Sequence, residues 1–147
     1  MGMFDSMHVS ASGLAAERLR MDVIAQNLAN ANSTRGPDGQ PYRRHEVIFR
    51  SSDVGTTNGP GGTERAGSNE PLHGVEPVAI VEDPSALRTV YDPQHPDADE
   101  DGYVHFPNVN PVTEMVDMMT ATRAYEANVT AMNAAKNMAL KALDILR

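Results

Sequence analysis

The sequence predicts a mostly α-helical protein with a small β insert. Long N- and C-terminal helices pair as a coiled-coil-like bundle, and a short antiparallel β/loop domain sits between them. Three observations carry this expectation. No Gly or Pro occurs from Leu14 to Arg35 or from Val112 to Arg147, whereas nine of the 11 Gly and eight of the 10 Pro lie between Gly36 and Phe106. All nine Met are in the two end regions. The net charge of -8 is also uneven, with -7 of it in residues 35–106. The expected organisation is an N-terminal helical arm over 1–35, an insert over 36–106 and a C-terminal helical arm over 107–147.

The N-terminal arm reads as a helix from about Asp5 to about Asn30, with Asp5 or Ser6 supplying the N-cap oxygen. Phe4, Met7, Ala11, Leu14, Met21, Ala25 and Leu28 follow steps of three and four residues, broken once by Arg18, and Ile24 and Ala31 widen the stripe. The C-terminal arm starts with Asn110 as N-cap and Pro111 at the first helical position, where a missing N–H costs nothing. Its apolar line runs through Met115, Met118, Thr122, Tyr125, Val129, Met132, Lys136, Ala139, Leu143 and Leu146. Eight Ala in the last 36 residues favour helix and allow close approach of other helices. A helix of that length spans roughly 54 Å, too long for the insert to cover, so its stripe needs another partner.

Within the insert, Gly36-Pro37-Asp38-Gly39 is a turn, with Pro preset at its second position. Tyr42–Arg50, Val75–Val81 and Leu87–Tyr91 read as strands, with Asp83-Pro84-Ser85 turning between the last two. Residues 51–74 have almost nothing to bury and read as a loop.

The composition excludes several functions. Without Cys there is no disulfide framework and no thiolate metal site. The acidic balance argues against binding nucleic acid. No apolar run approaches the roughly 18 residues of a membrane span, so direct membrane insertion is not expected. The N-terminus lacks the basic and apolar regions of a cleaved signal peptide.

Asp97-Ala98-Asp99-Glu100-Asp101-Gly102 matches the first half of a calcium loop, but the twelfth position is Asn108, and Pro93, Pro96 and Pro107 forbid flanking helices. The run therefore reads as a solvated acidic turn. His8, His45, His73, His95 and His105 have no metal-ligand spacing, and Arg43-Arg44-His45 reads as a charge-paired or solvent-facing strand edge. With no nucleophile–base motif, phosphate loop or metal cluster, no enzyme activity, cofactor or metal is expected. The Met stripes fit either a buried core or an adaptable surface for non-identical neighbours. Among the Asn residues (Asn27, Asn30, Asn32, Asn128, Asn133, Asn137), a buried one would fix register.

Ser10-Ala11-Ser12-Gly13-Leu14, Ala16-Glu17-Arg18, Met21-Asp22-Val23-Ile24-Ala25 and Asn27-Leu28-Ala29-Asn30-Ala31-Asn32-Ser33-Thr34 resemble the N-terminal signature of bacterial flagellar rod and hook axial proteins. Gly102-Tyr103-Val104, Pro107-Asn108-Val109-Asn110, Glu114-Met115-Val116-Asp117-Met118-Met119 and Arg123-Ala124-Tyr125-Glu126-Ala127-Asn128 resemble the C-terminal counterpart, and the short insert is similar to the proximal basal-body rod type. The resemblance implies a non-enzymatic structural subunit. It would be exported unfolded by the flagellar type III apparatus, without a cleaved signal, and would polymerise into a hollow drive shaft across the periplasm. Implied partners are copies of itself, the other proximal rod subunit, the base-adapter rod protein and the distal rod.

The expected assembly surface comprises Phe4, Met7, Leu14, Met21, Ile24, Asn27, Leu28, Asn30 and Asn32 on the first arm. On the second it comprises Met115, Met118, Tyr125, Asn128, Val129, Met132, Leu143 and Leu146. Ordering a chain costs roughly 1–2 kcal/mol per residue, so arms lacking their neighbours are expected to be mobile in the free monomer. Competing readings are a distal-rod or hook-type subunit and, from another class, a soluble helical adaptor.

Overall fold

The structure, a computed structural model, describes residues 3–53 and 73–145. Two helices, α1 (Met3–Ala29) and α2 (Pro111–Ile145), flank four strands: β1 (His45–Asp53), β2 (His73–Glu82), β3 (Arg88–Tyr91) and β4 (Tyr103–Phe106). The strands form two separate antiparallel pairs, β1–β2 and β3–β4. The architecture is thus mostly helical with a small β insert.

The capping chemistry of α2 matches its sequence. Asn110 Oδ1 accepts the Val112 N–H at 3.0 Å, and the Asn110 carbonyl accepts the Glu114 N–H at 3.0 Å. The turn before β1 also forms: the Gly39 N–H donates to the Gly36 carbonyl at 3.0 Å, with Gly39 in the left-handed region at φ 75°. Asp83-Pro84-Ser85 closes as an Asx turn, the Ser85 N–H donating to Asp83 Oδ1 at 2.8 Å. That contact and the Ser85 hydroxyl hold the Asp83 carboxyl below its usual range.

α1 and α2 run antiparallel within the one chain. Asn27 meets Glu114 at one end, the Thr122 hydroxyl donates to Met21 Sδ at 3.7 Å midway, and Gly13 meets Asn128 further along. A Cβ on Gly13 would lie 2.9 Å from Asn128 Nδ2, so the glycine, unfavourable inside a helix, sets the close crossing. This register puts Ala121 and Ala135, both buried, level with Met21 and Met7. Small residues thus face long ones, as interdigitating helix packing requires.

The line buried on α2 therefore differs from the line of largest apolar residues. Glu114, Ala121 and Ala135 are buried, while Met115 is 53% exposed and Leu143 63%. On α1, Ala16, Val23, Ile24 and Asn27 are buried, as is Ala31 just beyond its end, whereas Ala11 and Ala25 of the expected stripe are exposed. The intrachain contact covers the apolar stripes only in part, Met118, Tyr125, Val129 and Met132 being half-buried, and its fully buried positions on α2 are smaller or more polar residues.

The β1–β2 ribbon lies along α1. Its start is fixed at Asn27 through His45. Near its other end the Val75 N–H donates to the Ser12 hydroxyl at 3.1 Å, and that hydroxyl donates to the Val9 carbonyl at 2.8 Å. α1 packs against both the ribbon and α2, which do not pack against each other. β1 starts at His45 rather than Tyr42, but β1 and β2 run further than expected at their facing ends, reaching Asp53 and starting at His73, which shortens the expected 51–74 loop. The remainder of that loop, 54–72, lies outside the described residues. Pro77 fits because the register shifts beside it, between Ile48 and Phe49, and because a two-stranded ribbon has only edge strands. β4 was not expected from sequence. It pairs with β3 from Arg88↔Phe106 to Tyr91↔Tyr103 and buries Val104 completely.

Candidate assembly joint and surface

One buried polar cluster joins both helices to the insert. Asn27, at 1% exposure, uses all four of its hydrogen-bonding positions. Its Nδ2 donates to the His45 carbonyl at 2.9 Å and to Glu114 Oε2 at 3.1 Å. Its Oδ1 accepts the His45 N–H at 2.9 Å and the Tyr42 hydroxyl at 2.9 Å. Gripping both the N–H and C=O of His45, the side chain acts towards β1 as a neighbouring strand would, and this fixes which amide atom is oxygen. Because the Tyr42 proton goes to Asn27, His45 Nδ1, 2.9 Å from the same hydroxyl, carries the hydrogen and donates to it.

Glu114, at 0% exposure, is the second member. Arg44 Nε donates to its Oε1 at 2.6 Å, and the same guanidinium lies 3.6 Å from Asp117 and 3.9 Å from Glu46. Its hydrogen bond to Glu114 is the main reason the Arg44 pKa is raised. Glu114 also occupies the first turn of α2, where the helix dipole favours a negative charge. Asn108 completes the cluster: its Oδ1 accepts the Arg44 N–H at 2.8 Å and its Nδ2 donates to the Ser85 hydroxyl at 2.8 Å. Residues from α1, the β1 entry, the turn after β2 and the start of α2 are thus held together.

Tyr42 makes the cluster sensitive to alkali. Burial, then the Glu114 and Glu82 carboxylates, raise its pKa above the ordinary value of 10.0. The unfolded chain therefore loses this proton first, and stability falls as pH rises from about 10 through the higher folded value. Below about pH 10 the contribution is constant. Urea midpoints measured between about pH 9 and 12 are expected to fall less steeply in Tyr42→Phe than in wild type, and equal slopes would remove Tyr42 as the linked group.

The acidic run is more than a solvated turn. Asp97 Oδ2 accepts the Thr34 hydroxyl at 2.8 Å, and Asp97 Oδ1 lies 3.5 Å from Arg35. These contacts pin the turn to the chain leaving α1. Asp99 pairs with His105 at 3.0 Å, while Glu100 and Asp101 are exposed. A polar cleft of about 290 Å³ lies between these segments, lined in part by Thr34, Arg35, Asp97 and His105. Among the described residues no group of three or more His, Asp or Glu is arranged to hold a metal ion.

The residues expected to form the assembly surface separate into two sets. Asn27 and Ile24 are buried inside the chain, and Met7, Leu14, Met21, Leu28, Asn30, Met118, Tyr125, Asn128, Val129 and Met132 are partly covered. Met115, Leu143 and Asn32 are exposed. Leu146 and the side chain of Phe4 lie outside the described residues. The exposed part of α2 also includes Val112 at 70%, Val116 at 48%, Met119 at 55% and Leu140 at 51%, none of which sequence reasoning singled out. It also passed over Tyr42, Arg44, Asn108 and Glu114 as parts of one site. The available signals were an acid in the first turn of α2 and an Asn on an apolar helix face.

Comparison with known proteins places this geometry. A family model described as flagella basal body rod protein matches residues 7–37, covering the α1 side of the joint. A second, described as flagellar basal body rod FlgEFG protein C-terminal, matches residues 100–145, covering β4 and α2. The flagellar basal-body rod protein FlgC of Bacillus subtilis is 48% identical over 99% of both chains. FlgC of Borreliella burgdorferi is 47% identical over 100% of this chain and 99% of its own, and FlgC of Salmonella typhimurium 39% over 99% and 98%. With this similarity along essentially its whole length, and with both sides of the buried joint inside it, the chain belongs to the FlgC family of flagellar basal-body rod proteins, structural subunits rather than enzymes.

Proposed function

We propose that the chain builds the wall of the proximal rod by packing the outer faces of its paired arms against neighbouring subunits, while residues 36–106 face outward. The single observation behind this reading is the apolar surface of α2 that the described residues leave uncovered, from Val112 to Met119 and again at Leu140 and Leu143. Exposed apolar surface of this extent marks a site of association. Torque passing from subunit to subunit favours many distributed contacts, and the joint at Asn27 and Glu114 would keep arm and insert moving as one body. On this reading the neighbours are further copies, the other proximal rod subunit, the base-adapter rod protein and the distal rod. The chain would reach them across the periplasm after type III export.

The test is Leu143→Asp. Leu143 is 63% exposed, so folding stability should change by no more than about 0.5 kcal/mol. A buried aspartate in an interface is costly, so the variant should be missing from isolated basal bodies and the cells should not swim. Met132→Asp should also block assembly but should in addition lower the urea midpoint, because Met132 is partly covered by its own chain. Normal swimming by Leu143→Asp would defeat the assignment.

A further inference from the structure

The two helices are unequal, and the register between them shows where the excess lies. From Asn27, opposite Glu114, α1 runs back 24 residues to Met3, while α2 runs forward 31 residues to Ile145. The last seven residues of α2 therefore have no α1 alongside them. Leu140 and Leu143, three apart and on one face of this overhang, are both exposed. Lys136 extends the same face one turn back. At the opposite end of the same helix, Val112, Met115, Val116 and Met119 form a second exposed apolar patch, pointing away from α1.

Resting on the rod reading above, we propose that these two surfaces bind each other between copies of this chain, the α2 overhang of one seating on the Val112–Met119 patch of the next. Charge favours this pairing over the alternatives. Beside the patch, one guanidinium, Arg44, serves three carboxylates, leaving negative charge in excess. Residues 136–145, the overhang and the turn before it, carry Lys136 and Lys141 against the one carboxylate Asp144, a small positive excess. Two overhangs meeting each other would bring like charges together, and two patches meeting would leave both overhangs uncovered. Because the two surfaces differ, the contact does not close on itself and repeats from copy to copy.

The chain contains no cysteine, which makes disulfide trapping direct. The double variant Met115→Cys/Leu140→Cys, supplied as the only copy, would be oxidised in isolated basal bodies and run on a non-reducing gel. The two sites are about 38 Å apart along one helix, far beyond the roughly 7 Å Cα separation a disulfide tolerates, so every bridge must join two chains. A ladder of dimers and higher multimers is expected from the double variant, and no dimer from either single variant. Val116→Cys/Leu143→Cys should behave likewise. Dimers from a single variant would overturn the proposal in favour of a symmetric contact. Bridges in neither double variant, although both are present in the basal bodies, would assign these surfaces to another rod protein and overturn it too. Absence of the wild-type chain from basal bodies would instead defeat the rod reading itself.

Discussion

Asn27→Leu is expected to destabilise the chain by about 3–5 kcal/mol, a large share of the roughly 5–15 kcal/mol that holds a domain of this size folded. Leucine matches the volume but leaves the His45 N–H, the His45 carbonyl and Glu114 Oε2 without a partner, and leaves the Tyr42 hydroxyl only His45 Nδ1. Each buried group so stranded costs about 1–3 kcal/mol, reduced for Tyr42, which is only partly buried and can turn to water. Asn27→Asp separates the contributions. It keeps the acceptor for His45 and Tyr42 but loses both donors and sets a second carboxylate against Glu114. Its defect should be comparable at neutral pH and should lessen on mild acidification, as the added carboxylate takes a proton. Urea unfolding at two pH values measures both variants. A loss under about 1 kcal/mol for Asn27→Leu would mean that the cluster is not what fixes the insert on the arms.

The elements most legible in the sequence were those whose signals are local. Asn110 and Pro111 announce the start of α2, and the absence of Gly and Pro predicts its length. The Gly36–Gly39 turn needs no information from outside its four residues. The strand limits were less legible because a ladder depends on its partner. Ser51–Asp53 look like loop until His73–Val75 lie beside them, and the four residues of β4 acquire meaning only opposite Arg88–Tyr91. The stripe on α2 was visible, but periodicity shows that a face is apolar and not what covers it. Here Met115 and Leu143 point outward and Met118, Tyr125, Val129 and Met132 are partly covered, while the fully buried positions of the intrachain contact are Glu114, Ala121 and Ala135. The joint was the least legible part. Asn27, Arg44 and Glu114 are separated by up to 87 residues, and each alone reads as an ordinary polar residue.

Glu114→Leu is the second large effect expected, at about 3–5 kcal/mol, because removing one member of a buried ion pair leaves the other charge without compensation. The cost should lie towards the lower end. Arg44 retains 22% side-chain exposure and still has Asp117 at 3.6 Å and Glu46 at 3.9 Å. Glu114→Gln keeps an acceptor for Arg44 or Asn27 and removes the charge, so it should lose less, about 1–3 kcal/mol. The double variant Arg44→Leu/Glu114→Leu isolates the coupling. With both charges replaced by apolar side chains, only Asn27 Nδ2, the partly covered Asp117 and the exposed Glu46 lose a partner. The double variant should therefore be destabilised by less than the sum of the two single variants, by about 1–3 kcal/mol. Strict additivity in urea unfolding would show that Arg44 and Glu114 act independently. Glu114 would then be retained for its place in the first turn of α2, where the dipole alone accounts for about 0.3–1 kcal/mol and in partly buried sites about 2 kcal/mol.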